Sequence, residues 1–94
     1  MTDTLETTEE KQATWQDVPW VVLLWDDPVN TTQYVAHALR KVLGLGPEKA
    51  HQLMMKAHTD GKAAVWSGEK SVAEQHCAAL HGWSLNASLV KGDA

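Results

Sequence analysis

The chain has 94 residues and a mass of 10.3 kDa, which corresponds to one domain with one small core and excludes a multidomain enzyme. Its 8 Lys and Arg stand against 12 Asp and Glu, for a net charge of −4, and without a basic cluster the chain is a poor partner for nucleic acid. The single Cys77 excludes an internal disulfide, and the apolar run Val18 to Trp25 is too short to span a bilayer. We therefore expect a monomeric, cytoplasmic protein with no membrane segment.

The chain begins with an acidic, Thr-rich stretch over residues 1–17 that contains almost nothing apolar to bury. This composition predicts a disordered tail, followed by a single domain over residues 18–94. The run Trp20–Trp25 is β-branched and aromatic, and turn formers follow it directly in Asp26-Asp27-Pro28. The pattern predicts a central strand.

Two helices are predicted next. Asn30 or Thr31 can cap the first helix, and Gly44 can end it. The second helix starts at Pro47, whose missing N–H is harmless in the first turn, and it stops at Gly61. Apolar residues at helical spacing mark the inner face of the first helix as Tyr34, Val35, Ala38, Leu39, Val42 and Leu43. The inner face of the second is marked by Ala50, Leu53, Met54, Ala57 and His58.

The last third of the chain predicts a strand, a helix and a strand. Lys62–Trp66 is a short strand, Ser67-Gly68 is a turn, and a third helix runs from about Glu69 to His81, burying Val72, Ala73, Cys77 and Leu80. Gly82 closes this helix, and apolar and polar residues alternate from Trp83 onward as in a half-exposed strand. The predicted order is βααβαβ, a small α+β fold.

Three polar residues stand out against apolar surroundings. Asp26 and Asp27 leave the end of the first strand, and His58 lies near the end of the second helix. Paired carboxylates at such a place commonly line a functional edge, yet Asp-Asp-Pro is also an ordinary turn. His58 is equally compatible with a histidine at the edge of the core that bonds a backbone carbonyl. The residues alone leave these alternatives open.

The remaining histidines and the cysteine do not complete a metal site. His51 and His58 are seven residues apart, and His76, Cys77 and His81 lie around the third helix. No complete ligand set results, so we expect neither a metal nor a cofactor. Cys77 lies on the apolar face with no base nearby in sequence, which predicts an inert core thiol.

Five segments occur together in a specific order: Leu24–Asp27, Asn30-Thr31, Tyr34-Val35, His51–His58 and Gly61–Ala63. Over about residues 19–91 this combination resembles the ClpS family of ATP-dependent Clp protease adaptors. The resemblance implies a three-stranded antiparallel sheet backed by three helices, which agrees with the predicted order. It also implies a non-enzymatic adaptor that binds proteins whose first residue is Leu, Phe, Tyr or Trp. Such an adaptor delivers them to a ClpA- or ClpC-type unfoldase and its ClpP peptidase.

The same resemblance assigns roles to individual residues. It implies that the α-amino group of the substrate lies against Asp26, Asp27 and His58, with Trp25 at a position where the family has Asn. The implied pocket for the first side chain consists of Asn30, Thr32, Val35, Met54, Ala57 and Leu85. The positions that face the unfoldase in the family correspond to Ser71 and His76.

Two alternatives from other classes remain. A ribosome-associated or structural interaction module would use an exposed helix face and would not need the Asp pair opposite a histidine. A small hydrolase would use Asp27 and His58 as a dyad, but the sequence offers no credible nucleophile or oxyanion donor for it.

Overall fold

The computed structural model describes residues 18–92, so the tail predicted over residues 1–17 lies outside the described residues. The elements in chain order are β1 (Trp20–Trp25), α1 (Thr32–Leu43), α2 (Pro47–Asp60), β2 (Lys62–Gly68), α3 (Lys70–Gly82) and β3 (Ala87–Lys91). The predicted order βααβαβ is therefore confirmed. Within residues 18–92, no helix combines the length and the apolar character needed to cross a membrane.

β1 is the central strand of the sheet. It pairs antiparallel with β2 on one side and with β3 on the other, in the order β2-β1-β3. Val22 and Leu24 are fully buried, with 0% and 1% exposure, whereas Leu23 between them is only half-buried. Because successive side chains of a strand point to opposite faces, one face of the sheet carries the core and the helices cover it.

The helix boundaries follow the local signals in the sequence. Of the two predicted caps for α1, Thr31 is the one observed, since its Oγ1 accepts the N–H of Tyr34 at 3.1 Å. Gly44 and Gly61 end α1 and α2 with φ of 71° and 92°, a left-handed conformation that glycine adopts without a steric penalty. Pro47 occupies the first turn of α2, as predicted.

The last strand begins four residues later than predicted, at Ala87. The chain after α3 instead makes a further turn, in which the N–H of Leu85 donates to the Leu80 carbonyl at 3.1 Å and Ser84 has φ 66°. Gly82 is the last residue of α3, and Trp83 is the C-cap. Trp83 packs against Tyr34, with 5.7 Å between ring centroids, and Leu85 is 4% exposed. The side chains of Trp83 and Leu85 thus pack inward although the segment is not extended. Their spacing of two residues explains why the sequence showed the alternation of a strand.

β2 is longer than predicted, because Ser67 and Gly68 pair with Val21 and Trp20 of β1 and do not form a turn. The register shifts between Val22 and Leu23, which marks an irregularity in the ladder. A Cβ on Gly68 would meet the Trp66 ring at 2.5 Å. The absence of a side chain at this position therefore makes room for the Trp66 ring.

Five residues predicted on inner helix faces are not buried. Val42, Leu43 and Val72 are half-buried. Tyr34 is 37% exposed, and its hydroxyl donates to the Trp83 carbonyl at 2.8 Å. The His58 side chain is 59% exposed. Tyr34 and His58 lie at the rim of the core, where their polar atoms can find partners.

The two faces of β1 predict different responses to truncation. Leu24→Ala removes a fully buried side chain, so we expect it to lower the free energy of unfolding by about 2–5 kcal/mol. Leu23→Ala, one residue away on the opposite face, serves as the matched control and should cost clearly less because Leu23 is already partly in water. Urea denaturation of both variants measures the difference. Equal losses would contradict the assignment of the core to the Leu24 face.

Candidate functional site

A pocket lies where the end of β1 meets the start of α1 and the second half of α2. Its lining consists of Leu24, Trp25, Asp26, Asp27, Asn30, Thr32, Val35, Met54, Ala57 and His58. Nine of these ten residues are site residues predicted from the sequence. Leu24 is the one that sequence analysis missed, because it was placed in the predicted strand and given no role in the site. Leu24 lines the pocket because α1 and α2 pack against the end of β1.

Three predicted residues do not line this pocket. Leu85 is buried, with 4% exposure, but it is not among the lining residues, so the structure does not bring it to the predicted pocket wall. Ser71 and His76 lie on α3, which contributes no residue to the lining. The His76 ring packs edge-on against Trp66, with 4.8 Å between centroids. These two residues therefore belong to a different surface from the pocket.

Asp27 organises the loop between β1 and α1. Its Oδ1 accepts the backbone N–H groups of Val29 and Asn30 at 2.8 and 2.9 Å, and its Oδ2 accepts the Asn30 side-chain amide at 2.7 Å. The same amide nitrogen donates to the Ser84 carbonyl at 3.2 Å. Asp27 and Asn30 thus fix the loop and join it to the turn after α3.

The environment of Asp27 lowers its pKa. Desolvation on partial burial acts to raise the pKa, but the hydrogen bonds from the backbone and side chain of Asn30 and from the Val29 N–H outweigh it. Such bonds favour the ionised carboxylate, which accepts more strongly than the neutral acid. Asp27 is therefore held as a carboxylate whose main partners are donors of its own loop.

Asp26 and His58 form the second polar feature of the pocket. The His58 Nδ1 lies 3.2 Å from Asp26 Oδ1. Because an ionised carboxylate only accepts, Nδ1 is the donor, and a neutral His58 ring then carries its free lone pair on Nε2. The backbone N–H of Asp26 donates to the Gly61 carbonyl at 2.9 Å. This bond holds the end of β1 beside the end of α2 and brings the two side chains together.

Trp25 directs its polar atom away from the Asp pair. Its indole Nε1–H donates to Ser88 Oγ of β3 at 2.8 Å, and the Lys62 ammonium lies 5.3 Å from its ring centroid. The residue is 36% exposed. Indole has no acceptor, so at the pocket Trp25 supplies ring surface and cannot accept a hydrogen bond as an Asn carbonyl would.

The inner wall of the pocket is apolar. Val35, Met54 and Ala57 are 5%, 5% and 2% exposed, whereas Thr32 is exposed. The free volume is about 20 Å³, which is room for about one water molecule. A large apolar side chain can enter only if the wall moves. Met54 suits such a wall because its side chain is unbranched and has three rotatable bonds.

The geometry contradicts a hydrolase dyad of Asp27 and His58. His58 pairs with Asp26, and both carboxylate oxygens of Asp27 already accept bonds from the loop. No three His, Cys, Asp or Glu side chains within residues 18–92 are grouped so that they could hold a metal ion.

The expectation that Cys77 has no base nearby is wrong, because His81 Nε2 lies 3.8 Å from its sulfur. That nitrogen also lies 2.7 Å from the Ala87 carbonyl oxygen and must donate its hydrogen there. It therefore has no lone pair to accept the thiol proton. Burial also raises the pKa of the Cys77 thiol, which favours the protonated, unreactive form.

Comparison with known proteins identifies one family. The sequence pattern described as "ATP-dependent Clp protease adaptor protein ClpS" matches residues 16–88. The ClpS adapter protein of Corynebacterium aurimucosum is 46% identical over 69 residues, which cover 73% of this chain and 62% of that relative. The ClpS adapter protein of Nocardia farcinica is 38% identical over 91 residues, which cover 97% of this chain and 84% of the relative.

A solved structure shares the fold. It is Agrobacterium tumefaciens ClpS2 bound to L-phenylalaninamide, with a TM-score of 0.71 and 23% sequence identity. The match covers 80% of this chain and 98% of that chain. The arrangement of three helices on a three-stranded antiparallel sheet is therefore shared with that protein.

The lowered pKa of Asp27 predicts a pH-dependent stability. A carboxylate with a depressed pKa stabilises the folded state above its unfolded pKa of about 3.9, and this contribution is lost as the pH falls through the folded pKa. Asp27→Asn keeps the size of the side chain but removes the charge. We therefore expect the variant to be less stable than the wild type near neutral pH, and the gap to narrow below about pH 4. Urea denaturation at a series of pH values measures the gap, and a constant gap would contradict the prediction.

Proposed function

The chain belongs to the ClpS family of ATP-dependent Clp protease adaptor proteins, and we propose that its pocket binds the first residue of proteins destined for that protease. The accepted first residues are Leu, Phe, Tyr and Trp. The observation that carries the proposal is the Asp26–His58 pair, 3.2 Å apart, at the mouth of an apolar pocket. A free α-amino group and an apolar side chain occur on the same carbon atom only at the first residue of a chain.

The polar end of the pocket suits an ammonium group. A free α-amino group has a pKa of about 7.7–8.0, so at neutral pH it carries a positive charge and three N–H donors. Asp26 and the Nε2 lone pair of His58 supply acceptors. Asp27 adds negative charge close by, although its oxygens already accept bonds from Val29 and Asn30. We therefore propose that Asp26 and His58 make the direct contacts and that Asp27 contributes mainly through charge and loop geometry.

The apolar end of the pocket suits the first side chain. Removing roughly 150–200 Å² of Leu or aromatic surface from water contributes on the order of 4–5 kcal/mol before ordering costs. Because the free volume is about 20 Å³, part of this gain is spent on moving Met54 and its neighbours. L-phenylalaninamide, the ligand of the Agrobacterium ClpS2, combines the two features that the proposal requires, an α-amino group and a benzyl side chain.

The proposed role is binding and transfer, without catalysis and without a cofactor. We propose a cytoplasmic monomer that hands its substrate to a ClpA- or ClpC-type unfoldase with its ClpP peptidase. Ser71 and His76 on α3 are the proposed unfoldase-facing positions. Since α3 lines no part of the pocket, a partner bound there would leave the pocket accessible. Among the contacts of residues 18–92, none favours the alternative of a ribosome-associated or structural interaction module.

The amine contact predicts a sharp difference between two peptides. A peptide that begins with Phe should bind, and its N-acetylated twin should bind at least about tenfold more weakly, because charge-assisted hydrogen bonds are lost while the apolar contacts remain. Fluorescence anisotropy titrations with otherwise identical peptides measure the ratio. Equal affinities would show that the pocket does not bind the terminus.

The His58 acceptor predicts a mutational effect on the same peptide. His58→Ala removes the Nε2 lone pair and should weaken binding about tenfold, because the ammonium loses a hydrogen-bond acceptor. His58→Gln retains an acceptor and should weaken binding less. His76→Gln, on α3, is the matched control and should keep the wild-type affinity. The same anisotropy titrations measure these ratios, and wild-type affinity in His58→Ala would exclude His58 as an acceptor for the peptide.

A further inference from the structure

A second, wider cleft continues from the pocket along α1 and α2. Its free volume is about 550 Å³, and it is lined by Thr32, Gln33, Ala36, His37, Arg40, Pro47, His51 and Met54. Thr32 and Met54 also line the pocket. The two depressions therefore share a wall, and a chain whose first residue occupies the pocket meets the cleft next.

The cleft has the length of a short peptide segment. The helices are joined by the short connection over residues 44–46, so they run back along each other. The cleft extends from Thr32 to Arg40 on α1 and from Met54 to Pro47 on α2. At a rise of 1.5 Å per residue, eight residues of α1 span about 12 Å. An extended chain covers that distance with about three or four residues.

The cleft has a positively charged lining residue and no negatively charged one. Arg40 carries a positive charge, and no Asp or Glu is among the lining residues, which also include His37 and His51. Within residues 18–92, the ion pairs Lys56–Asp60, His58–Asp26 and Lys70–Glu74 do not include Arg40. The chain as a whole has a net charge of −4, but residues 18–92 hold 7 Lys and Arg against 6 Asp and Glu. The cleft is therefore distinguished by the lack of an acidic lining residue beside Arg40.

The base of the cleft is held in place on the α1 side. The His37 ring packs edge-on against Trp83, with 5.6 Å between centroids. Trp83 also contacts Tyr34 at 5.7 Å, and the Tyr34 hydroxyl bonds the Trp83 carbonyl. One face of α1 is thus fixed against the turn after α3, so Arg40, one turn beyond His37, projects from a rigid helix.

We propose that this cleft binds the residues that follow the first one, and that it favours an acidic side chain at the third or fourth position. This inference rests on the proposed function, because the first residue must be in the pocket for the next ones to reach the cleft. Arg40 is the specificity-determining residue, since it is the permanent charge in the cleft and lies at the end farther from the pocket. An exposed ion pair is screened by solvent, so the expected preference is about two- to fivefold for each pair.

The test uses three peptides that differ only at positions three and four: Phe-Ala-Glu-Glu, Phe-Ala-Gln-Gln and Phe-Ala-Lys-Lys, each with the same neutral continuation. Each is titrated against the full chain, Arg40→Gln and Lys41→Gln. Lys41 is the matched control, because it is the neighbouring residue with the same charge but is not among the cleft residues. We expect the wild type and Lys41→Gln to prefer the Glu peptide over the Gln peptide by at least about twofold. Arg40→Gln should bind the two peptides equally.

Two further measurements distinguish the inference from the function on which it rests. Raising the salt concentration should reduce the preference for Glu but should leave the requirement for Phe intact. N-acetylated versions of all three peptides report on the pocket alone. If the three free peptides bind equally while acetylation still abolishes binding, the cleft inference is overturned and the proposed function stands. If acetylation has no effect, the proposed function fails and the inference fails with it. A Glu preference that persists in Arg40→Gln would also overturn it.

Discussion

The pocket depends on a single backbone contact between elements that are far apart in the chain. The Asp26 N–H donates to the Gly61 carbonyl at 2.9 Å, which places the first residue after β1 against the residue that ends α2. Gly61 can occupy this position because it adopts φ 92° at no steric cost. With this bond in place, the Asp26 carboxylate lies beside the His58 ring one turn earlier in α2. The same geometry lets the chain turn from α2 into β2. β2 then pairs with β1, and Lys62 lies opposite Trp25, directly beside the bond between Asp26 and Gly61.

Two adjacent carboxylates acquire different tasks because their surroundings differ. Asp27 is enclosed by the donors of its own loop, which lower its pKa and use its oxygens for local structure. Asp26 has the imidazole of His58 as its side-chain partner and remains 44% exposed. An approaching cation is therefore attracted by both charges but finds open acceptor capacity mainly at Asp26. In the proposed binding mode, removal of either carboxylate weakens binding of an ammonium group, yet for different physical reasons.

Trp25 changes the character of the pocket edge. At a position where the resembled family has Asn, the indole donates to Ser88 and packs beside Lys62. The edge gains aromatic surface and loses a side-chain acceptor, so in the proposed binding mode Asp26 and His58 supply the side-chain acceptors for the amine. The apolar wall behind them is narrow, and Met54 belongs both to this wall and to the cleft beyond it. Movement of one flexible side chain therefore affects both regions.

The sequence by itself determined the order of the elements, the caps and stops of α1 and α2, and nine of the ten pocket residues. The elements and their ends depend on local chemistry: a β-branched run, a Thr cap and left-handed glycines. The pocket residues were implied by the resemblance to the ClpS family, whose motif could be matched to this chain residue by residue. Only the tertiary structure decided that the last strand begins at Ala87, because Trp83 and Leu85 turn inward from a loop and imitate strand alternation. It also decided that His58 pairs with Asp26 and not with Asp27, and that Leu85 is buried without being among the residues that line the pocket. Such outcomes depend on which atoms meet across elements distant in the chain, and no local pattern contains that information.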